Sequence, residues 1–174
     1  DLRTLVTKAK QAGLVPGKYP HASLLPDTLT SWQTLIDDNF LLFDKPSEAT
    51  ELAQSILRTS VKRSFDGIID FDDQIYMSSM FGGVFPRFPC VLVDEYQDLS
   101  PLNWRMVRRT AVAQLIVVGD SNQAIYGFRG ADANAKKTAK ALRTDWTELR
   151  LSVTFRCPSV VVARQQNHVP GYKA

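Results

Sequence analysis

The stretch Cys90–Asp98, CVLVDEYQD, constrains the fold of this chain more than any other. Cys90, Val91, Leu92 and Val93 form a short apolar run with β-branched residues, the pattern of a buried strand in an α/β sheet. Asp94 and Glu95 follow where such a strand would emerge. Carboxylates at the C-terminal edge of a strand can hold a divalent cation and orient water against a phosphate. An acidic turn that merely closes an apolar strand looks the same, so the pair alone does not decide between them.

A second strand is predicted at Gln114–Gly119, QLIVVG, followed by Asp120, Ser121, Asn122 and Gln123. Two buried strands that end in polar residues and are joined by a helix-length segment point to a phosphate-handling crevice. Aromatics and an arginine come next, in Ala124–Ala131.

The segments VLVDEYQD (Val91–Asp98) and VVGDSNQAIYGFRGAD (Val117–Asp132) closely resemble superfamily 1 DNA helicases of the UvrD/Rep/PcrA type. The usual family forms run near VDEYQD and VGDxxQSIYxFRGAD, and the intervening length fits. LSVTFRCP (Leu151–Pro158) falls where the family has an LxxNYRS-like motif. The resemblance implies an α/β fold, a partial RecA-like P-loop NTPase motor domain with a preceding helical subdomain. It places the C-terminal part of an inserted helical subdomain at residues 1–66. The latter part of the first motor domain follows at 67–152, and the start of the connection toward a second motor domain at 153–174.

The resemblance also implies roles. Asp94 would coordinate Mg²⁺, usually through water, with Glu95 beside it in the metal-binding pair. Glu95 would be the general base that polarises water for attack on the γ-phosphate of ATP. Gln97 and Gln123 resemble glutamines that sense the γ-phosphate and couple it to DNA, with Gln123 in the catalytic set. Arg156 resembles the arginine that reaches the γ-phosphate, a task suited to a guanidinium fork. Phe155, where many relatives have Tyr, would stack on adenine without a hydroxyl contact. Cys157 and Pro158 also depart from the RST-like ending. Tyr126 and Phe128 resemble residues that contact single-stranded DNA bases, and Arg129 would link that turn to the nucleotide crevice. Relatives often carry Trp at the position of Phe128.

A Walker A loop needs G-x-x-x-x-G-K-[ST]. The nearest match is Gly13–Tyr19. Its glycines are one residue too close, and Tyr19 stands where Ser or Thr is needed. The sequence is therefore read as lacking that loop, and the chain as a fragment that begins at Asp1 inside the helical insertion. Other regions of the same parent chain would complete the motor. The chain alone would then turn over no ATP.

Along the chain, Asp1–Ala12 reads as a helix with Leu2, Leu5, Val6 and Ala9 on one side. Gly13, Pro16, Gly17 and Pro20 make a linker that contains His21. Ser31 is predicted to cap a helix through Trp32, Leu35 and Ile36, with Trp32 as a core anchor. Phe40–Phe43 reads as core packing. Pro46 opens a helix with Leu52, Ile56, Leu57 and Val61 as its apolar stripe, and Lys62 and Arg63 suit its C-terminal end. Asp70 is predicted as the N-cap of the next helix, with Asp72 and Asp73 in its first turn and no metal. Phe71, Ile75 and Met77–Met80 would pack. Ser100 and Pro101 open a helix buried through Leu102, Met106 and Val107, with Arg105, Arg108 and Arg109 on a solvated face. Asp132–Arg143 is a basic helical stretch holding Lys136, Lys137, Lys140 and Arg143. Trp146–Val153 returns toward a strand, and Pro158 opens a last helix.

The 174 residues carry 21 Lys and Arg against 18 Asp and Glu, a net charge of +3 that permits nucleic-acid binding without demanding it. Cys90 and Cys157 suggest reduced, buried thiols and a cytoplasmic setting. With the family resemblance, the expected setting is a bacterial or bacteriophage-infected cell. No membrane-length apolar run appears, so no membrane partner is expected.

The resulting expectation is a single-stranded-DNA translocase or helicase driven by ATP and Mg²⁺. Its polarity would be 3′ to 5′, as in the resembled family, with replication, repair or recombination proteins as partners. Two alternatives stay open. One is a non-enzymatic DNA- or protein-interaction module derived from a helicase, and the other is the motor portion of a recombination helicase–nuclease.

Overall fold

The computed structural model describes residues 2–17, 23–124, 130–168, 170, 171 and 173. His21, Tyr126, Phe128 and Arg129 lie outside the described residues. Two compact units are present, Asp1–Leu142 and Arg143–Ala174.

The first unit opens with four helices, α1 (Leu2–Gln11), α2 (Leu29–Asp38), α3 (Pro46–Phe65) and α4 (Asp73–Met80). The amphipathic spacing of α1 buries Leu5, Val6 and Ala9. These meet Trp32 and Ile36 of α2, Leu57 and Val61 of α3, and Tyr76 and Met80 of α4 in one apolar core. The buried Tyr76 hydroxyl donates to the Leu14 carbonyl at 2.6 Å. Trp32 is a core anchor, as expected.

Several local readings need correction. Thr28, not Ser31, caps α2; its extended backbone lets Oγ1 accept from the Ser31 amide at 3.2 Å. The buried face of α3 is Ala49, Ala53, Leu57 and Val61, while Leu52 and Ile56 are exposed. Only Leu41 and Phe43 of the Phe40–Phe43 stretch pack on the core; Phe40, Leu42 and Phe71 are exposed.

The acidic trio before α4 serves a use that the sequence does not announce. Lys10 is 2% exposed, and its Nζ lies 2.8 Å from Asp70 and 2.7 Å from Asp73. Asp70 stands three residues ahead of Asp73, and the two exchange bonds. The Asp73 amide donates to Asp70 at 2.9 Å, and the Asp70 amide donates to Asp73 at 3.0 Å. The cap position itself falls at Asp72, which accepts from the Thr7 hydroxyl at 2.9 Å. The start of α4 is thus tied to α1 by charge. Burial alone would raise the Asp70 carboxyl, but its bonds to Lys10 and Asp73 hold it below its ordinary value. The Lys10–Asp73 pair, 2% exposed on both sides, gives little net stability, yet removing one of its partners costs about 3–5 kcal/mol, while Asp70 is 57% exposed and contributes less.

Strand β1 (Phe88–Val93) leads through a 3₁₀ turn, Tyr96–Asp98, into α5 (Pro101–Thr110) and then β2 (Ala111–Val117). Ser100 caps the helix and Pro101 takes its first turn, as the sequence predicts, and Asn103 completes a capping box with Ser100. The second strand begins at Ala111, earlier than predicted, directly where α5 ends, and it stops before Gly119. Arg105 and Arg109 do not form a purely solvated face. Their guanidinium groups donate to the Ser79 carbonyl at 3.0 and 3.1 Å, satisfying the end of α4.

The strands pair in parallel, with Val91 opposite Leu115, Leu92 opposite Ile116 and Val93 opposite Val117. Alternation puts Val91, Val93, Leu115 and Val117 on one face. That face packs with Trp104 and Val107 of α5 and with Ala135 and Ala139 of α6 (Ala135–Ala141). The other face is open: Leu92 is 73% exposed, and Ile116 and Cys90 are exposed too. The expectations of fully buried strands and of a buried Cys90 thiol are therefore corrected. A parallel sheet is buried only when both faces are covered, and helices of the described chain cover one.

In the second unit, Pro158 precedes α7 (Ser159–Gln165), which buries Val162. The region around Trp146–Val153 forms no strand, only a single bridge between Val153 and Lys173. Among the described residues, no helix is long and apolar enough to cross a membrane.

Asp27 gathers the Trp32 indole at 2.7 Å, the Gln54 amide at 2.9 Å and the Gly17 amide at 2.9 Å. Burial pushes its carboxyl up, but these donors and Arg58 more than offset it, so the net shift is down. An acid depressed on folding contributes stability that is complete above its unfolded value, about 3.9, and drains as pH falls through the folded value. Denaturant titrations from pH 6 downward are expected to show a shallower acid-side loss of stability for Asp27→Asn than for the unsubstituted chain. Equal slopes would remove Asp27 from the acid transition.

Candidate functional site

The site forms where both strands end on the same edge of the sheet. Val93 is the last buried residue of β1, and Asp94 and Glu95 emerge exposed beyond it. Glu95 takes a left-handed backbone, φ 51° and ψ 47°. For a residue with a Cβ this costs roughly 1–2 kcal/mol. The turn folds the chain back over the end of β2. The Tyr96 amide then donates to the Val118 carbonyl at 3.1 Å, and the Val118 amide donates to the Val93 carbonyl at 2.8 Å.

Gln97 joins the two tips. It is 3% exposed. Its Nε2 donates to Glu95 Oε2 at 2.6 Å, and its Oε1 accepts from the Asp120 amide at 3.0 Å. One carboxamide therefore fixes an acid on the first tip and a backbone amide on the second. Tyr96 and Ser121 add a hydroxyl–hydroxyl contact of 2.7 Å across the same gap. Asp120 accepts from the Asn122 amide at 2.9 Å and from the Gln123 side chain at 3.1 Å, closing a 3₁₀ turn at Ser121–Gln123.

Gly119 is required by this closeness. A Cβ there would lie 2.3 Å from Gln97 Oε1, 2.6 Å from the Tyr96 ring and 2.9 Å from the Tyr96 backbone nitrogen. The Gly-Asp turn was visible in the sequence. What made glycine necessary was its partner, Gln97, and that is a tertiary fact.

The structure brings together Asp94, Glu95 and Gln97, and it places Gln123 on the adjoining turn through Asp120. Tyr96, Gly119 and Ser121 are positioning residues that the sequence reading passed over. Asp98, which follows Gln97, has a buried Oδ1 with no hydrogen bond among the described residues. Phe155 and Arg156 belong to the second unit, where both are exposed and the Arg156 amide donates to Thr154 Oγ1 at 3.2 Å.

The donor set fits Mg²⁺ held jointly with phosphates. Among the described residues no group of three or more His, Cys, Asp or Glu side chains could hold a metal ion by itself. Mg²⁺ is commonly held by one or two carboxylates plus phosphate oxygens and water, not by an all-protein cage. Two adjacent exposed carboxylates, with Asp94 Oδ1 already turned to the Glu95 amide at 2.9 Å, are of that kind.

Residues 69–141 match the family model of the UvrD/REP helicase N-terminal domain. The chain is 32% identical over 118 residues to F-box DNA helicase protein 1 of Schizosaccharomyces pombe, covering 61% of this chain and 13% of that protein. It is 40% identical over 82 residues to the RecBCD enzyme subunit RecB of Mycobacterium tuberculosis, covering 46% of this chain and 7% of that protein. To ATP-dependent DNA helicase UvrD2 of Mycobacterium tuberculosis it is 30% identical over 133 residues, covering 69% of this chain and 19% of that protein. The chain thus matches less than a fifth of the length of each of these relatives. No solved structure matches it. These similarities identify a partial UvrD/RecB-like helicase-family domain within the chain.

The Gly119–Gln97 contact yields a direct test. Gly119→Ala must displace backbone as well as a side-chain tip, so it is expected to destabilise the chain by about 1–3 kcal/mol. Urea unfolding measures this; a stability unchanged from the unsubstituted chain would show that the two tips are not held as described.

Proposed function

We propose that this chain supplies the water-activating and phosphate-sensing edge of an ATP-driven motor that moves along single-stranded DNA. The observation that carries the reading is the Gln97 carboxamide, bonded at once to Glu95 and to the Asp120 amide. An acid held this way is aimed before any substrate arrives, and whatever pulls on it is felt on the second tip. That tip continues into the segment containing Tyr126 and Phe128.

In this scheme Glu95 accepts the proton of the attacking water, and Gln97 fixes the carboxylate that does so. Asp94 is the first carboxylate offered to Mg²⁺. When bound, the ion would neutralise charge on the phosphate oxygens. Gln97 and Gln123 present neutral amides that can follow the loss of the γ-phosphate without adding charge. Arg156 is assigned to phosphate charge and Phe155 to the adenine ring, on the resemblance of the segment Leu151–Pro158 and on their side-chain chemistry. Tyr126 and Phe128 are assigned to base stacking, worth about 1–3 kcal/mol per base and indifferent to sequence. Arg129 links that segment back to the nucleotide side. Translocation from 3′ to 5′, and partners among repair, replication or recombination proteins, belong to the same proposal.

The match to a RecBCD enzyme subunit favours a second reading, in which the motor serves a recombination assembly. The site chemistry is the same in both.

Glu95→Gln separates the motor from a module that only binds. The substitution keeps size and the left-handed turn while removing the base. In the intact protein it is expected to lower ATP hydrolysis by about 10²- to 10⁴-fold with ATP binding retained. Steady-state turnover and nucleotide-binding titrations on one preparation decide it. Near-normal turnover would exclude Glu95 as the base.

A further inference from the structure

The turn Ser121–Gln123 carries one of the glutamines assigned to phosphate, yet packing does not fix it. None of Ser121, Asn122 and Gln123 is buried. Its internal bonds return to Asp120. The Asp120 carboxylate accepts from the Asn122 amide and the Gln123 side chain, and its carbonyl accepts from the Gln123 amide at 3.0 Å. These bonds give the turn its shape without setting where it stands relative to Glu95.

Tyr96 supplies that placement, because it lies along the second tip. Its amide donates to the Val118 carbonyl, its ring lies against Gly119, and its hydroxyl meets Ser121 Oγ at 2.7 Å. Gln97 reaches the same tip at the Asp120 amide, before the turn begins. The Tyr96 hydroxyl carries the tie past Asp120 and onto the turn itself. A tyrosine side chain has few rotatable bonds before a rigid ring, so its oxygen has a fixed place once backbone and ring are held.

Core packing does not call for this hydroxyl. A ring without it would still cover Gly119 and still pack on the cluster that includes Val93 and Ala135. The contact with Ser121 is exposed, and a hydrogen bond open to solvent adds little net stability. What the contact adds is position.

We propose that the Tyr96–Ser121 hydroxyl pair is a strut that sets Gln123 against Glu95 and Gln97, and that it thereby makes the site prefer a nucleoside triphosphate to a diphosphate. It rests on the phosphate-sensing reading above. Gln97 and Gln123 stand on different tips, so one terminal phosphate meets both amides only when the tips are correctly spaced. A diphosphate has no γ-phosphate to present, and its affinity does not depend on that spacing. Tyr96 and Ser121 are positioning residues in this scheme, acting through Gln123.

The test measures, by calorimetry on the intact protein, the affinities of the Mg²⁺ complexes of ADP and of the non-hydrolysable β,γ-imido analogue of ATP. The unsubstituted protein is expected to favour the triphosphate. Tyr96→Phe and Ser121→Ala are each expected to lower that preference by about two- to tenfold, the size of one hydrogen bond. The double variant is expected to lose no more than either single variant, since both remove one shared contact. Ser121→Thr keeps a hydroxyl and is expected to keep the preference. Gln123→Ala tests the underlying reading separately, by removing the sensor itself. A preference intact in Tyr96→Phe and Ser121→Ala but lost in Gln123→Ala overturns the strut and keeps the phosphate-sensing reading. Equal weakening of both nucleotides also overturns the strut, because the contact would then be merely structural. Fully additive losses overturn it too, since the hydroxyls would then act separately. An unsubstituted protein that does not favour the triphosphate, or a Gln123→Ala variant that favours it undiminished, overturns the sensing reading and the strut together.

Discussion

A single buried carboxamide holds the candidate site in register. Gln97 has one donor group and one acceptor group to place, and the fold uses both across the gap between the strand tips. Much else is arranged around this bridge. The left-handed turn at Glu95 folds Gln97 inward, Gly119 leaves room for its oxygen, and the packing of α5 and α6 beneath the sheet keeps the tips at one level. A neutral amide suits this place. A carboxylate there would repel Glu95, and an apolar side chain would leave the Asp120 amide without its partner.

The charged contacts elsewhere serve the scaffold. Lys10 with Asp70 and Asp73, and Asp27 with Trp32 and Gln54, lie on the helical side of the first unit. They are built from the residue types that a motif search would assign to catalysis or metal binding. Their partners show otherwise, since each carboxylate is already matched by a cation or by indole and amide donors. At the strand tips Asp94 and Glu95 are exposed and accept from neutral amides, and among the described residues no ion pair matches their charge.

What the sequence made legible follows from the range of the interactions involved. Local rules located α1, α3, α5 and the apolar run of β1, because helix periodicity, the Ser100–Pro101 start and a β-branched run are decided within a few residues. The candidate pair Asp94 and Glu95 was legible for the same reason. The role of Lys10 was not, because its two carboxylates come about sixty residues later and no local pattern marks a lysine as buried. The α2 cap was misplaced by three residues because Thr28 and Ser31 both offer a hydroxyl, and only the extended backbone at Thr28 separates them. The strands were expected to be buried on both faces because their composition is that of a parallel core. In the described chain, α5 and α6 cover only one face, so composition and exposure disagree at Leu92 and Ile116.

The two parts of the first unit are held differently. The helical core around Trp32 and Leu57 ties α1 to α3 and α4 across long stretches of chain, whereas β1 and β2 meet across the single helix α5 and, in the described chain, are covered on one face only. The Gln97 bridge lies beyond the end of that pairing, on a turn where Asp94 and Glu95 are exposed. Segments with few buried apolar contacts open at the lowest cost, which places the strand tips at the low-stability end of the molecule. The edge assigned to sensing phosphate is thus also the part of this unit that can yield without unfolding the rest.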